Sequence, residues 1–256
     1  MKIAEEIRDW IRSFIKEFKR TSGFLTEWKD PIVSFADVND PLFFKLKEVI
    51  GKSHAHPKEL LVNASTVIVY FIPFNDNIVV SNRGMNICSK EWARAYIETN
   101  KLITEINGFI AQKLKSRGFD AKPTPATHNF NEEELISDWS HKHVGYIAGL
   151  GDFGLHQMLI TEKGCCGRLG SIITSARIEP TKRTEKKYCL YFYNKSCLKC
   201  VENCIYDALK IENFNKQKCY DICLENARIY SDLGLVDACG KCVSVVPCSF
   251  KNPVSS

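Results

Sequence analysis

The run Cys197-Leu-Lys-Cys200-Val-Glu-Asn-Cys204 sets three thiols in close succession, with gaps of two and three residues between them. Nine of the twelve cysteines of the chain lie between Cys189 and Cys248, so the run belongs to a cysteine-rich last quarter. In the bacterial ferredoxin pattern C-x2-C-x2-C-x3-C-P, closely spaced thiolates hold one [4Fe-4S] cluster and the fourth cysteine ligates the other. The spacing therefore predicts a segment that holds two [4Fe-4S] clusters.

The sequence departs from the ferredoxin pattern at two positions. Asn194 stands where the first cysteine is expected, and Ile205 replaces the proline. Cys189 is the natural substitute, because an aromatic loop can bring its thiolate back to the same iron. We assign four thiolates to each cluster: the first cysteine group is Cys189, Cys197, Cys200 and Cys248, and the second cysteine group is Cys204, Cys219, Cys239 and Cys242. Cys223 is left over and is the rival of Cys189 as the eighth ligand.

Two other cysteine chemistries compete with this interpretation. Zinc accepts two C-x2-C pairs in tetrahedral geometry, but it would leave cysteines of the tight run unused. A secreted disulfide framework is also rich in cysteine. Most of this chain is poor in cysteine, however, and no signal peptide is recognisable. We therefore favour clusters over zinc and over disulfides.

Composition indicates a globular protein of 256 residues with 45% hydrophobic content, enough for a buried core. No apolar run approaches the roughly 20 residues that span a bilayer, so we predict a cytoplasmic protein without membrane contact. The net charge of +5 arises from 35 basic and 30 acidic residues and does not by itself indicate nucleic-acid binding. The basic run 182–187 is interpreted as a solvated linker, with a docking patch for an acidic electron donor as the alternative.

Periodicity and capping residues predict several elements before the cysteines. They are an amphipathic helix over 2–20, a buried central strand over 66–72, a long helix from Ser89 to Gly118, a short strand over 119–122 and a short helix within 129–139. His54 and His56 flank Pro57 in a loop. Because no third metal ligand is nearby, we interpret both histidines as surface or capping groups.

A second informative block, 140–174, crowds glycines around two predicted strands. Glycine permits close backbone approach and positive φ, so such a block is typical of the border of a flat cofactor. The spacing of Gly149, Gly151 and Gly154 matches G-x-G-x-x-G, but it follows a predicted helix and has no partner acid. A dinucleotide fold therefore receives only weak support. The alternative is a glycine-rich hairpin without a ligand.

Taken together, the glycine and cysteine blocks resemble epoxyqueuosine reductases and the related reductive dehalogenases, from about Leu60 onward. The likeness is carried by Ala148-Gly-Leu-Gly151, Gly154, Leu159-Ile-Thr161, Gly170, Ile172 to Thr174, and the paired cysteine motifs with Cys219 about fifteen residues after Cys204. It implies an α+β fold, with a nitroreductase-like α/β cofactor-binding domain over 1–180 and a ferredoxin-like two-cluster module over 181–256. It also implies cobalamin bound base-off, with the two clusters delivering electrons to the cobalt.

The implied function is a cytosolic iron-sulfur oxidoreductase that reduces a small substrate, with a low-potential donor such as ferredoxin or flavodoxin. One alternative is a flavin-linked reductase with FMN, in which Arg168, Ser171 and Thr174 would grip the phosphate. Another is an electron-transfer or reactivating protein with no substrate of its own. We do not expect tRNA as the substrate, because the C-terminal helical repeats of the tRNA-acting enzymes are not recognisable. A respiratory membrane role is not expected either, since no twin-arginine signal is present.

The resemblance also suggests site residues. The candidate cofactor-binding residues are Tyr146, Gly149, Leu150, Gly151, Gly154, Thr161, Gly164, Arg168, Gly170 and Ser171. In the tRNA-acting enzymes an acid upstream of A-G-L-G is thought to donate a proton. Asp138 is nearest here but out of register, and the register position falls near His141 and Lys142. His141 or His143 is therefore predicted as the proton donor, because an imidazole titrates near neutrality.

One thiol outside the cluster groups is also a candidate for catalysis. Cys166 lies in the turn Gly164-Cys-Cys-Gly167, where a vicinal cysteine pair is either redox-active or able to hold a substrate thiol. We predict Cys166 as a possible active-site thiol. The competing interpretation is a buried, inert cysteine.

Overall fold

A four-stranded antiparallel sheet, in the order β1-β2-β8-β3, forms the centre of the α/β part of the chain. The structure is a computed structural model that describes residues 2–126 and 129–254. The strands are β1 (Ile32–Asp37), β2 (Thr66–Pro73), β3 (Ala121–Thr124), β4 (Phe130–Asn131), β5 (Ile136–Ser137), β6 (Gly151–Phe153), β7 (Leu159–Thr161) and β8 (Gly167–Thr174). The short pairs β4-β5 and β6-β7 form two further antiparallel ribbons.

Helices cover both faces of the sheet and build the cysteine-rich segment. In chain order they are α1 (Lys2–Thr21), α2 (Leu42–Val49), α3 (Pro57–Leu60), α4 (Asp76–Ser81), α5 (Lys90–Lys115), α6 (His141–Ile147), α7 (Leu190–Asn194), α8 (Lys199–Glu202), α9 (Lys216–Ile229) and α10 (Lys241–Ser244), followed by a 3-10 turn at Pro247–Ser249. In the described parts of the chain, no helix combines the length and apolar character required to cross a membrane.

Strand β2 confirms the buried central strand predicted over 66–72. All of its residues are buried, and it pairs with β1 on one side and β8 on the other. Successive side chains of a strand point to opposite faces, so Ile68 and Tyr70 pack on one face while Val67 and Val69 pack on the other. A strand of β-branched and apolar residues is stable here because helices cover both faces.

The two long helices also confirm their sequence predictions. Ser89 caps α5, with its hydroxyl accepting the backbone N–H of Trp92 at 3.1 Å. On α1, Ile7, Ile11 and Ile15 form the buried stripe, which joins the core cluster formed by α5 and one face of the sheet. On the other face, α6 packs against β2 and β8.

Two predictions about 119–139 need correction. The short strand is β3 at Ala121–Thr124 rather than 119–122, and it contains Pro123. That proline is tolerated because β3 is the edge strand of the sheet. The helix predicted within 129–139 is wrong, because β4 and β5 form a hairpin there. The Asn131 side chain accepts the backbone N–H groups of Glu133 and Glu134, and Leu135 takes a positive φ of 53°, so the chain turns.

The cysteine-rich segment packs directly on the elements before it. A shared hydrophobic cluster joins Phe74 and Trp92 to Val243 and Val246. Hydrogen bonds reinforce this contact: for example, the Asn82 amide donates to the carbonyl of Cys239 at 3.0 Å. The mixed α/β architecture agrees with the expected fold class, whereas the division at residue 180 stays a prediction.

Candidate cluster and cofactor site

The first cysteine group lines one small cavity. All four of its members contact this space, together with His156, Val246 and Pro247. Short elements present the thiols: Cys189 precedes α7, Cys200 lies in α8, and Cys248 lies in the 3-10 turn. Asn194 does not line this cavity; its side chain accepts the backbone N–H of Ser196 at 3.1 Å. Four soft thiol ligands around one space suit an iron-sulfur cluster.

The second cysteine group lines a separate cavity of about 280 Å³, which Cys223 also lines. Cys219 and Cys223 lie one turn apart on α9, and their thiols form a hydrogen bond. As the acceptor of that bond, Cys219 has a lowered pKa, and the pKa of Cys223 is raised. Cys189 and Cys223 therefore line different cavities.

A larger space, the central cavity, lies beside the second cysteine group and has a volume of about 510 Å³. Its walls come from the start of β8, from α6 and from the β4-β5 hairpin. It shares several wall residues with the cavity of the second cysteine group, among them Lys142, Cys165 and Arg168. Volumes of roughly 300–1,000 Å³ are typical of small-molecule sites. The cavity of the second cysteine group therefore adjoins a cavity large enough for a small organic molecule.

Arg168 is the fixed cation in the shared wall. Its guanidinium stacks on the ring of Tyr96, 4.3 Å from the centroid, and its Nε donates to Asn100 at 3.0 Å. The Tyr96 hydroxyl in turn donates to Asp237 at 2.6 Å. Because each group holds the next, the guanidinium is preorganised at the cavity wall.

Helix α6 brings His141, Lys142 and His143 to the central cavity. The ring of His141 is engaged on both sides, since Nε2 donates to the carbonyl of Pro125 at 2.8 Å and Nδ1 lies 3.0 Å from the hydroxyl of Ser171. Desolvation lowers the pKa of His143 to about 4, so its imidazole is neutral near pH 7. His143 is therefore not an imidazolium acid at that pH.

Lys142 was not assigned a role from sequence, although the register position falls beside it. Desolvation, the largest cause, lowers the pKa of Lys142, and the nearby charge of Lys216 adds to the effect. The ammonium donates to the carbonyl of Gln157 at 3.0 Å. Of the three α6 side chains at this cavity, Lys142 also lines the cavity of the second cysteine group.

The other two catalytic candidates lie away from the central cavity. Asp138 is not among its wall residues. Cys166 is 2% exposed, and its thiol donates to the carbonyl of Val243 at 3.2 Å. Its neighbour Cys165 lines the cavity instead. Sequence could not separate the two thiols, because the tertiary structure decides which of two adjacent side chains faces the space.

The predicted cofactor-binding glycines lie against other protein segments. A Cβ on Gly151 would lie 2.0 Å from the carbonyl oxygen of Ile160, and one on Gly164 would lie 2.3 Å from that of Ser249. Gly170 faces the ring of Tyr70 in the same way. These glycines therefore permit close packing between parts of the protein.

Of the ten predicted cofactor-binding residues, all in the described part of the chain, Arg168 lines the central cavity and the other nine do not. Thr161 is buried, with its hydroxyl donating to the carbonyl of Gly164, and Ser171 is buried beneath Trp139 and His141. Leu150 is part of the hydrophobic core, and Tyr146 packs near Phe153. A direct binding role for these nine residues stays a prediction.

Solved structures of two kinds of reductase share this fold. An epoxyqueuosine reductase with an epoxyqueuosine-modified tRNA-Tyr stem loop matches with a TM-score of 0.63 and 19% identity, over 97% of this chain and 65% of that chain. The epoxyqueuosine reductase from Streptococcus thermophilus matches with a TM-score of 0.56 and 17% identity, over 97% and 66%. A catabolic reductive dehalogenase matches with a TM-score of 0.58 and 17% identity, over 88% of this chain and 30% of that chain.

No protein-family model and no curated protein matches the sequence. The resemblance expected from sequence is thus confirmed at the level of the fold. The chain spans about two thirds of the length of the epoxyqueuosine reductases that it matches.

Proposed function

We propose that this chain is an iron-sulfur reductase in which two [4Fe-4S] clusters pass electrons to a corrinoid of the cobalamin type, which reduces a small substrate. The observation that carries this proposal is the shared wall between the second cysteine group and the central cavity. Electron transfer requires donor and acceptor to be close, and the arrangement supplies that proximity. The fold similarity to two kinds of reductase supports the same class of activity.

The thiols fit two clusters better than one zinc site. Each group of four lines its own cavity, and within the described chain no carboxylate lines the space of the first group. Zinc would need four ligands of one tetrahedron, whereas a cubane accepts one thiolate on each of four irons. We propose the first cysteine group and the second cysteine group as the two ligand sets.

The contacts of Ser171 and Thr174 argue against the FMN alternative. The flavin alternative assigns the phosphate to Arg168, Ser171 and Thr174, but the two hydroxyl residues are 0% exposed. The hydroxyl of Ser171 is bonded within the protein to Thr124 and Trp139, and that of Thr174 donates to the carbonyl of Asp120. Two of the three phosphate contacts are therefore already satisfied. A bound corrinoid supplies a cobalt centre that delivers reducing electrons to a substrate.

Lys142 is proposed as the proton donor for this reduction. Lys142 lines both adjoining cavities, and its lowered pKa makes it a better acid than an exposed lysine. His141 is proposed to orient the cavity wall through its bonds to Pro125 and Ser171. A low-potential donor such as ferredoxin or flavodoxin is proposed to supply the electrons, at the surface where aromatic residues of α7 lie exposed beside Cys189.

The cofactor released by acid tests the proposal. Protein purified without oxygen from cells supplied with cobalamin should release a corrinoid with its characteristic absorption. A yellow flavin would favour the FMN alternative, and clusters without an organic cofactor would favour an electron-transfer or reactivating protein. Substrate trials should begin with the compounds of the matched structures, an epoxyqueuosine-modified stem loop and 3-bromo-4-hydroxybenzoic acid. Lys142→Met should slow turnover of any accepted substrate while cofactor content stays unchanged.

A further inference from the structure

We infer that His156 donates a hydrogen bond to the thiolate of Cys248 and thereby raises the reduction potential of the first cluster. The inference rests on the proposed clusters. The imidazole Nε2 lies 3.3 Å from the Sγ of Cys248, and the two residues are 5% and 7% exposed. His156 lines the cavities of both cysteine groups, so it lies between the two proposed clusters.

The hairpin that carries His156 fixes which nitrogen holds the proton. The backbone N–H of Met158 donates to Nδ1 at 3.1 Å, so Nδ1 must present a lone pair. In a neutral imidazole the hydrogen then lies on Nε2, the nitrogen that faces Cys248. The tautomer therefore makes Nε2 a donor and the sulfur an acceptor.

Local backbone geometry holds the ring in this place. The N–H of Gly154 donates to the carbonyl of Met158 at 2.9 Å, and Gln157 takes a positive φ of 64° to close the turn. A Cβ at Gly154 would lie 2.6 Å from the ring of His156. The absence of a side chain at Gly154 thus leaves the space that the imidazole of His156 occupies.

The same tautomer argues against a mononuclear metal at this point. Ligand atoms of His156, Cys165 and Cys248 lie within 4.8 Å of one another, which is close enough for one ion. A metal would need the lone pair of Nε2, yet the N–H of Met158 already needs the lone pair of Nδ1. A neutral imidazole has one such lone pair, so the arrangement serves a hydrogen bond to sulfur instead.

A hydrogen bond to a ligand sulfur withdraws negative charge from the cluster and stabilises its more negative, reduced form. Such bonds are among the factors that set cluster potentials. Because the sulfur carries more negative charge in the reduced cluster, the hydrogen bond is stronger in that state, and the reduction potential reports this difference. Removing the donor should therefore make the first cluster about tenfold harder to reduce, or about 59 mV for one electron.

The test is a potentiometric titration of the clusters, followed by electron paramagnetic resonance, in three variants of the complete protein. His156→Leu removes the hydrogen-bond donor. His156→Asn has a shorter side chain, whose N–H groups do not reach the sulfur, whereas His156→Gln keeps an N–H near the position of Nε2. We expect His156→Leu and His156→Asn to lower the reduction potential of the first cluster by the equivalent of about tenfold in the equilibrium constant for its reduction. His156→Gln should keep most of the original potential. The potential of the second cluster should be unaffected in all three variants. If Leu does not retain its clusters, the pair Asn and Gln gives the same comparison.

Several outcomes would overturn the inference. Unchanged potentials in Asn or Leu with full iron content would do so, as would equal shifts in Gln and Asn. Loss of iron in all three variants would identify His156 as a ligand instead. Absence of clusters from the unmodified protein would overturn both this inference and the proposed function, whereas full iron with unchanged potentials would overturn this inference alone.

Discussion

The two cysteine groups share one ligand chemistry but differ in what surrounds them. The space of the first group is closed by short elements of the last quarter of the chain and by the imidazole of His156. The space of the second group adjoins the central cavity through Lys142 and Arg168. Under the proposed function, this difference predicts an order of electron flow in which the first cluster would receive electrons and the second would deliver them to the central cavity.

The groups also differ in whether a further cysteine lies beside them. The cavity of the second group is also lined by Cys223, whose thiol forms a hydrogen bond with that of Cys219 on the same helix. The first has no cysteine at the expected position of Asn194 and depends on Cys189. We therefore expect the two clusters to respond differently when one of their thiolates is replaced.

The largest effect is expected at Cys242, a member of the second group. Cys242→Ala should remove about four irons and four sulfides, because the iron that loses its thiolate would lie open to the adjoining central cavity. Reduction at the central cavity should stop while the first cluster keeps its paramagnetic signal. Cys88→Ala is the matched control, since Cys88 is buried but belongs to neither group. Retention of all irons in Cys242→Ala would contradict the second ligand set.

The next effect concerns the weak position of the first group. Cys189→Ala should convert the first cluster to a three-iron form, since one iron loses its thiolate. Electron paramagnetic resonance detects this form. Cys223→Ala should leave both cubanes intact. The reverse pattern would show that Cys223 ligates and Cys189 does not.

Gly164 supports the first group from outside. Its φ is +82°, and a Cβ there would meet the carbonyl of Ser249, next to Cys248. Gly164→Ala should therefore lower the free energy of unfolding by about 3 kcal/mol and make the first cluster more labile. Gly108→Ala in α5 is the control, because nothing lies near its Cβ position, and alanine should stabilise a helix by about 0.5–1 kcal/mol. Thermal unfolding of both variants compares them, and equal melting temperatures would contradict the packing role.

The smallest effect lies in the sheet half of the molecule, away from the cysteines. His54 is 1% exposed, although sequence suggested a surface or capping group. Its Nδ1 donates to the carbonyl of Ala55, and its Nε2 accepts the N–H of Ser140. Desolvation lowers the pKa of His54 to about 4. Protonation of Nε2 would set its N–H against the backbone N–H of Ser140, so two donors would face each other. The imidazole of His54 is therefore neutral in the folded protein.

The sign of the pH dependence follows from that shift. Between the unfolded pKa of about 6.5 and the folded value, the unfolded chain binds a proton that the folded chain does not, so stability falls as pH falls. The loss should be about 2 kcal/mol between pH 7 and pH 5. Melting temperatures of the anaerobic protein across this range measure it. His54→Gln should reduce the slope by about half, because His143, whose pKa is also lowered to about 4, contributes a similar loss. An equal slope in the variant would contradict the assignment.

Sequence predicts the elements whose patterns repeat. In α1 and α5 the apolar spacing recurs over several turns, and in β2 every position is apolar or β-branched, so local pattern and burial agree. The β4-β5 hairpin could not be predicted in this way. Its acidic run resembles the first turn of a helix, and only the bonds to Asn131 turn the backbone.

The candidate site shows the same limit. The spacing of cysteines along the chain is local and indicates metal ligands directly. A glycine in the sequence does not indicate which group lies against it. Gly151 faces Ile160 and Gly164 faces Ser249, and both partners are set by the tertiary structure. Lys142 and His156 were missed for the same reason. Each has a role only through groups that are distant in sequence.

This chain is proposed to hold two iron-sulfur clusters beside a cofactor cavity. Iron, acid-labile sulfide and zinc should be measured in protein purified anaerobically, without reconstitution. Eight thiolates at four per cubane predict about eight irons and eight sulfides per chain, with little zinc. Zinc bound without acid-labile sulfide would contradict the account.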